Sequence, residues 1–126
     1  MNLSLARQHY SMMKENQVDS DRQNALAIKL AMEQTIEAMV ALTSEQGKMN
    51  LEQHVEIALT RIYLLQKCLD FESGGELAIS LFKIYEHARD SIIKYTCQKL
   101  STPDFRKAIE FIEIIHEGWS EMLLKD

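Results

Sequence analysis

The sequence predicts an all-α fold, an antiparallel up-down-up-down four-helix bundle with a short N-terminal arm or helix. Its 126 residues include one proline and four glycines, so few turns can interrupt long elements. Apolar residues recur at helical spacing along most of the chain. Three short polar breaks separate these periodic stretches. We therefore expect a single domain over 1–126, with the arm at about 1–18 and the bundle at about 20–124.

Four long helices follow from the positions of these breaks. Their expected ranges are about 21–43, 50–70, 74–99 and 103–124, and the arm is expected to be partly helical over 3–16. Connections this short make successive helices antiparallel neighbours. At the start of each predicted helix stand residues that are typical of N-caps. In chain order, the candidate caps are Ser20 or Asp21, a capping box from Asn50 to Gln53, a capping box from Ser73 to Glu76, and Thr102 followed by Pro103 at the first helical position.

The adjacent glycines Gly74 and Gly75 raise the question of a phosphate-binding loop. Such a loop needs GxxxxGK[ST] after a strand, or GxGxxG within a βαβ unit, and neither pattern occurs. Glu76 would also repel an anion at the following helix N-terminus. The sequence therefore predicts a tight turn between the second and third helices.

Each predicted helix carries one apolar stripe that could close the core. The first helix has Ala25, Ile28, Met32, Ile36, Met39 and Val40, and the second has Leu51, Val55, Ala58, Ile62, Leu65 and Leu69. The third has Leu77, Leu81, Ile84, Tyr85, Ala88, Ile92 and Tyr95, and the fourth has Phe105, Ala108, Ile109, Ile112, Ile115, Trp119 and Met122.

Further apolar residues lie to the side of every stripe. They are Leu26, Leu30, Ile57, Leu64, Cys68, Ile79, Phe82, Ile93, Cys97, Phe111 and Ile114. Helices that touch two neighbours often have such wide apolar faces. The alternatives are an exposed groove for a partner helix and a homodimer interface. The surplus on all four helices and the seven methionines favour a binding surface.

Charge and composition exclude several classes of function. The net charge of −5 disfavours binding to nucleic acid and to anionic membrane surfaces. No apolar run approaches the length of a membrane span or a signal peptide, so the expected location is the cytoplasm. Cys68 and Cys97 lack CxxC spacing, and we expect two reduced, mostly buried thiols.

One pattern could carry metal chemistry. Glu113 and His116 form a single ExxH, whereas di-iron bundles use two such motifs with further inward carboxylates. The third helix offers no second motif. No serine, cysteine and histidine grouping suggests an activated nucleophile. We therefore predict no enzyme, no cofactor and no metal site; a metal-dependent bundle enzyme rests on Glu113 and His116 alone.

The C-terminal half resembles the flagellar secretion chaperone family (FliS-like), which escorts flagellin. The similarity covers about 69–122 and depends on a set of motif residues at fixed spacing. These are Leu69-Asp70, then Gly74, Gly75, Glu76, Leu77 and Ala78, then Leu81, Ile84-Tyr85, and Trp119 near the end of the last helix. In the N-terminal half, Tyr10 and Val18 match arm positions, and Leu26 and Leu30 match leucine positions.

The N-terminal half also departs from the family pattern. The tyrosine, aspartate and glycine of its L-Y-D-G-like stretch are absent. Asp90 and Ser91 stand where paired arginines are common. These departures bear on which client the chain binds.

The resemblance implies a non-enzymatic mechanism. Family members hold the disordered C-terminal segment of flagellin in apolar grooves, prevent premature polymerisation and present the client to the type III export gate. An arm covers part of the groove until the client displaces it. We expect flagellin or a flagellin-like subunit as partner; the alternative is a homodimeric helical adaptor that kept the fold and lost flagellin binding. The predicted partner-binding residues are Tyr10, Leu26, Leu30, Ile57, Leu64, Ile79, Phe82, Ile93, Phe111 and Ile114.

Overall fold

A computed structural model describes the backbone of residues 3–125 and the side chains of residues 22–45 and 47–124. Over this range the fold is all-α. Its helices are α1 Leu3–Leu42, α2 Glu45–Met49, α3 Leu51–Lys67, α4 Phe71–Thr96 and α5 Thr102–Lys125. Helix α1 packs against α3 and α5, and α4 packs against the same two helices. The four long helices thus form a closed ring, which confirms the predicted antiparallel bundle.

Helix α1 is much longer than the sequence predicted. It runs without a break from Leu3 to Leu42, so the expected helix start at Ser20 or Asp21 is wrong. Residues 3–42 contain neither glycine nor proline, and serine and aspartate favour caps without being able to end a helix alone. At 1.5 Å per residue α1 is about 60 Å long, against about 39 Å for α4. Because Leu42 is buried at its C-terminal end, the extra length is N-terminal.

The link between α1 and α3 contains the short helix α2, which was not predicted. The backbone of Gly47 approaches that of Ala41 so closely that a Cβ would overlap the Ala41 carbonyl. Asn50 is the single residue between α2 and α3, and its side chain makes no capping hydrogen bond. The predicted Asn50 capping box is therefore wrong: with φ −116° and ψ 40°, the backbone of Asn50 lies outside the extended region typical of an N-cap.

Helix α4 begins three residues earlier than predicted. The carboxylate of Asp70 accepts hydrogen bonds from the backbone N–H groups of Ser73 (3.1 Å) and Glu72 (3.0 Å), so Asp70 is the N-cap. Hydrogen bonds from Ser73, with a smaller contribution from Glu72, lower the pKa of Asp70. The predicted Ser73 cap is wrong.

Gly75 has φ +51° and ψ −126°, a conformation that only glycine adopts readily. The glycine pair therefore breaks α4 into a first turn and a main helix. It does not form the turn between helices, as the sequence had predicted.

The start of α5 differs from the prediction by one residue. The Ser101 hydroxyl accepts the backbone N–H of Asp104 at 3.3 Å, and Thr102 is already helical. The Thr102 hydroxyl instead lies 3.2 Å from the Tyr95 hydroxyl. The Tyr95 ring stacks on the Phe105 ring, with centroids 4.1 Å apart and planes 2° from parallel. This stack joins the C-terminal end of α4 to the first turn of α5.

The core is one continuous cluster drawn from all four long helices. Its buried apolar residues are Ala31, Met32, Ala38, Met39, Leu42, Ala58, Ile62, Leu65, Tyr85, Ala88, Ile92, Phe105, Ala108, Ile109 and Ile112. Four residues predicted in core stripes are exposed, namely Val40, Leu51, Leu77 and Met122.

Two small polar residues, Thr35 and Ser91, are buried in the core. Each hydroxyl donates to the carbonyl four residues earlier, at 2.8 Å, which satisfies it inside its own helix. The buried face of α1 contains Thr35, and Val40 lies about 140° around the helix from it. Val40 therefore points away from the core.

Candidate functional site

Most of the predicted partner-binding residues form exposed apolar surface. Eight have relative exposures between 39% and 64%: Leu26, Leu30, Leu64, Ile79, Phe82, Ile93, Phe111 and Ile114. Ile57 is half-buried and packs against the core cluster. Tyr10 lies outside the described side chains. The eight exposed residues are distributed over several faces of the bundle and do not form one patch.

The α3–α4 surface contains Ile79, Phe82 and Ile93. These residues lie within about 60° of one another around α4. Gln66 of α3 donates to the Glu86 carboxylate at 2.9 Å and to the Phe82 carbonyl at 3.5 Å, which places this side of α4 against α3. The hydrogen bond from Gln66, followed by that from Arg89, lowers the pKa of Glu86. A polar bridge therefore lies between apolar side chains on this surface.

The first turn of α4 adds an aromatic contact to the same surface. The Phe71 and Phe82 rings meet edge to face, with centroids 6.0 Å apart. Both rings are exposed. Because Phe71 precedes the break at Gly75, this contact ties the short first turn of α4 to its main helix.

The α4–α5 surface contains His87, Phe111 and Ile114. The His87 and Phe111 rings meet edge to face, with centroids 6.2 Å apart. Ile114 lies on α5 one turn beyond Phe111 and is exposed. This surface is smaller and carries an imidazole beside its aromatic ring.

The α1–α3 surface contains Leu30, Ile57 and Leu64. Arg61 Nε donates to Gln34 Oε1 at 2.7 Å and bridges the two helices. A groove of about 270 Å³ runs beside this bridge and is lined by Gln34, Glu37, Ala38, Ala41, His54, Ile57 and Arg61. Leu26 lies one helical turn before Leu30. As on the α3–α4 surface, a polar bridge accompanies the apolar residues.

An apolar cavity of about 310 Å³, here called the end cavity, opens at the end of the bundle opposite α2. All four long helices contribute to it. Its lining residues are Ile28, Met32, Leu65, Cys68, Leu69, Asp70, Ser73, Gly74, Leu77, Ala78, Leu81, Tyr85, Ile115 and Trp119. Trp119 Nε1 donates to the Ala25 carbonyl at 2.9 Å and joins α5 to α1 beside the cavity.

The end cavity brings together residues that the sequence had singled out only as a motif. Gly74, Leu81, Tyr85 and Trp119 all line it. Tyr85 is only 2% exposed, and burial, with a smaller contribution from Cys68, raises its pKa to about 12. The sequence assigned these positions to turn and core. Their spacing along the sequence does not indicate a cavity that residues of four helices form together.

A second cavity, of about 400 Å³, lies at the α2 end of the bundle. Its lining includes Lys48 and several uncharged polar side chains, among them Thr96, Gln98, Ser101 and Thr102. The two ends of the bundle therefore differ in the chemistry they present.

The ExxH pair does not form a metal-like site. His116 Nε2 lies 3.1 Å from Glu33 Oε1 on α1, and Lys29 contacts the same carboxylate at 3.8 Å. Glu113 is exposed. Among the residues that the structure describes, no group of three or more histidine, cysteine, aspartate or glutamate side chains could hold a metal ion.

Both cysteines are exposed, which corrects the expectation of mostly buried thiols. Cys68 and Cys97 are the C-cap residues of α3 and α4. Cys68 also lines the end cavity, together with Tyr85.

Within the described part of the chain, no helix combines the length and apolar character needed to cross a membrane. No curated protein and no solved structure matched the chain. The sequence profile of the family described as flagellar protein FliS matches residues 6–126. Because this match spans nearly the whole sequence, the chain belongs to the FliS family, whose members are non-enzymatic chaperones in flagellin export.

Proposed function

We propose that the chain holds the disordered C-terminal segment of flagellin, or of a flagellin-like subunit, on its apolar surfaces in the cytoplasm. Holding this segment prevents premature polymerisation and delivers the client to the type III export gate. The main support for this binding mode is that eight large apolar side chains are exposed although the core is formed without them.

Exposed apolar surface is what a segment that folds on binding requires. A disordered client must offset the entropy lost on ordering, and burial of apolar area contributes roughly 25 cal/mol per Å². Most of that gain is cancelled by ordering and by lost translational freedom. A large, distributed surface therefore suits this client better than one small pocket.

The length of the α3–α4 surface fits a short client helix. Ile79 and Ile93 are fourteen residues apart on α4, which corresponds to roughly 21 Å at 1.5 Å per residue. A client helix of about fourteen residues would span this distance with an apolar face against Phe82. The Gln66–Glu86 bridge would fix its register by offering polar partners between the apolar contacts.

Three separate surfaces favour a client that wraps the bundle. The α1–α3, α3–α4 and α4–α5 surfaces lie on different faces, and one rigid globular partner could not cover all three. A linear segment could pass from one to the next. Tyr10 remains a predicted contact of the arm; covering a groove with that arm would require α1 to break ahead of the bundle.

The α3–α4 surface is tested by Phe82→Glu and Ile93→Glu, with Val40→Glu as the matched control. All three positions are exposed, and Val40 belongs to none of the proposed surfaces. Titration calorimetry with a C-terminal flagellin peptide should show roughly tenfold or greater weakening for the first two variants. The control should bind like the wild type with the same large negative heat-capacity change.

Circular dichroism of each variant provides the folding check. Helical signal should be unchanged in all three, because each substitution replaces exposed side-chain surface. Normal peptide binding by both Phe82→Glu and Ile93→Glu would show that the α3–α4 surface is not the client site.

The second candidate is a homodimeric helical adaptor that retained the fold without flagellin binding. The same exposed apolar residues favour it, because a second copy could cover them. Analytical ultracentrifugation would show a concentration-independent dimer, and the flagellin peptide would give no heat of binding. A monomer that binds the peptide would exclude this candidate.

A further inference from the structure

We propose that the end cavity receives an anchor side chain of the client, a large aliphatic or aromatic group with a basic residue beside it. This inference rests on the proposed function and specifies the chemistry of one contact. It concerns residues outside the three surfaces described above, since none of the predicted partner-binding residues whose side chains the structure describes lines the cavity.

The end cavity has the size and lining that such an anchor requires. An apolar cavity of about 150 Å³ in another protein is large enough to bind benzene. The end cavity, at about 310 Å³, has room for a larger ring or a branched aliphatic group. Its walls are aliphatic and aromatic side chains from all four long helices, with Tyr85 buried on one side.

The cavity is open to solvent and adjoins the α3–α4 surface. Leu77 lines it and is 67% exposed, while Ile115 and Trp119 are half-buried. On α4, the cavity residues Ala78 and Leu81 alternate with Ile79 and Phe82 of the α3–α4 surface. Because successive helix residues lie about 100° apart, the cavity and the α3–α4 surface occupy neighbouring faces of the same stretch of α4, and one client segment could reach both.

The charged side chains at the start of α4, beside the cavity, are acidic. Residues 68–82 include Asp70, Glu72 and Glu76 and contain no lysine or arginine. Asp70 itself lines the cavity. The nearest preceding cation, Lys67, lies over the Tyr63 ring, 5.9 Å from its centroid. A basic residue next to the anchor would complement this negative charge. A second copy of this chain, with net charge −5, is disfavoured as the occupant of the cavity because it would bring like charge.

Trp119 is the only tryptophan in the sequence, so its fluorescence reports directly on the cavity. Titration of the full chain with a tryptophan-free C-terminal flagellin peptide should shift its emission to shorter wavelength as the anchor displaces water. The emission shift should saturate over the same range of peptide concentration as the heat of binding measured by calorimetry. Leu77→Glu should weaken binding roughly tenfold and reduce the shift. Val40→Glu should behave like the wild type.

The possible failures are distinguishable. Calorimetric binding with unchanged Trp119 emission and normal affinity of Leu77→Glu would overturn the cavity proposal and leave the proposed function intact. Absence of calorimetric binding would overturn both. An emission shift that follows protein concentration without peptide would identify a second copy as occupant and overturn this proposal.

Discussion

The two ends of the bundle are built differently. Toward α2, Leu42, Ile92 and Phe105 are almost completely buried, and the Tyr95 ring stacks on Phe105. At the opposite end, the lining of the end cavity is almost entirely apolar, and Leu77 is exposed on its rim. The α2 end also has a cavity, of about 400 Å³, but Lys48 and several uncharged polar side chains form part of its lining. The comparison indicates that the end cavity, with its largely apolar lining, is the better site for an apolar side chain of a partner.

The largest expected effect comes from the same kind of truncation made at each end. Phe105→Ala should lower the free energy of unfolding by about 3–5 kcal/mol, because it removes a buried ring and leaves a cavity. Leu77→Ala should change it by less than about 0.5 kcal/mol, because that side chain is largely in solvent. Urea denaturation followed by circular dichroism measures both. Equal losses would show that Leu77, at the end cavity, is packed as tightly as Phe105 at the α2 end.

The ionisation of Tyr85 tests whether the wall of the end cavity behaves as protein interior. Its pKa is raised from 10.0 to about 12 by burial, so the native state holds the phenol proton more tightly than the unfolded chain. The stabilising contribution is complete below pH 10 and is lost as the pH rises toward 12. A shift of this size corresponds to as much as about 3 kcal/mol.

The measurement is the free energy of unfolding of the wild type and of Tyr85→Phe, below pH 10 and near pH 12. The wild type should lose more stability between the two conditions than the variant, since phenylalanine cannot ionise. Parallel losses in the two proteins would mean that water in the cavity solvates the phenolate.

The smallest expected changes in stability come from two glycine-to-alanine substitutions, which should act in opposite directions. Gly75→Ala should destabilise the chain by about 2 kcal/mol, because φ +51° with ψ −126° strains any residue with a Cβ. No atom lies near the added Cβ, so the cost is one of backbone conformation. Gly118→Ala, in the interior of α5 and also free of contacts, should stabilise by about 0.5–1 kcal/mol. Thermal unfolding measures the stability of both variants. If Gly75→Ala were as stable as the wild type, the backbone at the break in α4 would accommodate a Cβ at little cost.

Helical periodicity was sufficient to predict α3 and most of α4 and α5, but it placed Val40, Leu51, Leu77 and Met122 in the core, and these four side chains are exposed. It could not exclude a cap at Ser20, because serine is equally compatible with a helix interior when no glycine or proline follows. Thr35 and Ser91 were missed in the core since their hydroxyls are satisfied by their own helices. The end cavity depends on how residues of four helices are placed relative to one another, which is a tertiary property that no single periodic stripe encodes.

The exposure of Cys68 and Cys97 has a consequence for handling the protein. The two thiols lie at opposite ends of the main part of α4, whose 21 residues from 76 to 96 span roughly 32 Å. Because a disulfide requires Cα atoms within about 7 Å, the two cannot pair within one molecule. Oxidation would therefore join different molecules, and two divergent thiols on each would extend such links into linear chains. A reductant, or replacement of both residues by serine, separates this covalent polymerisation from genuine self-association.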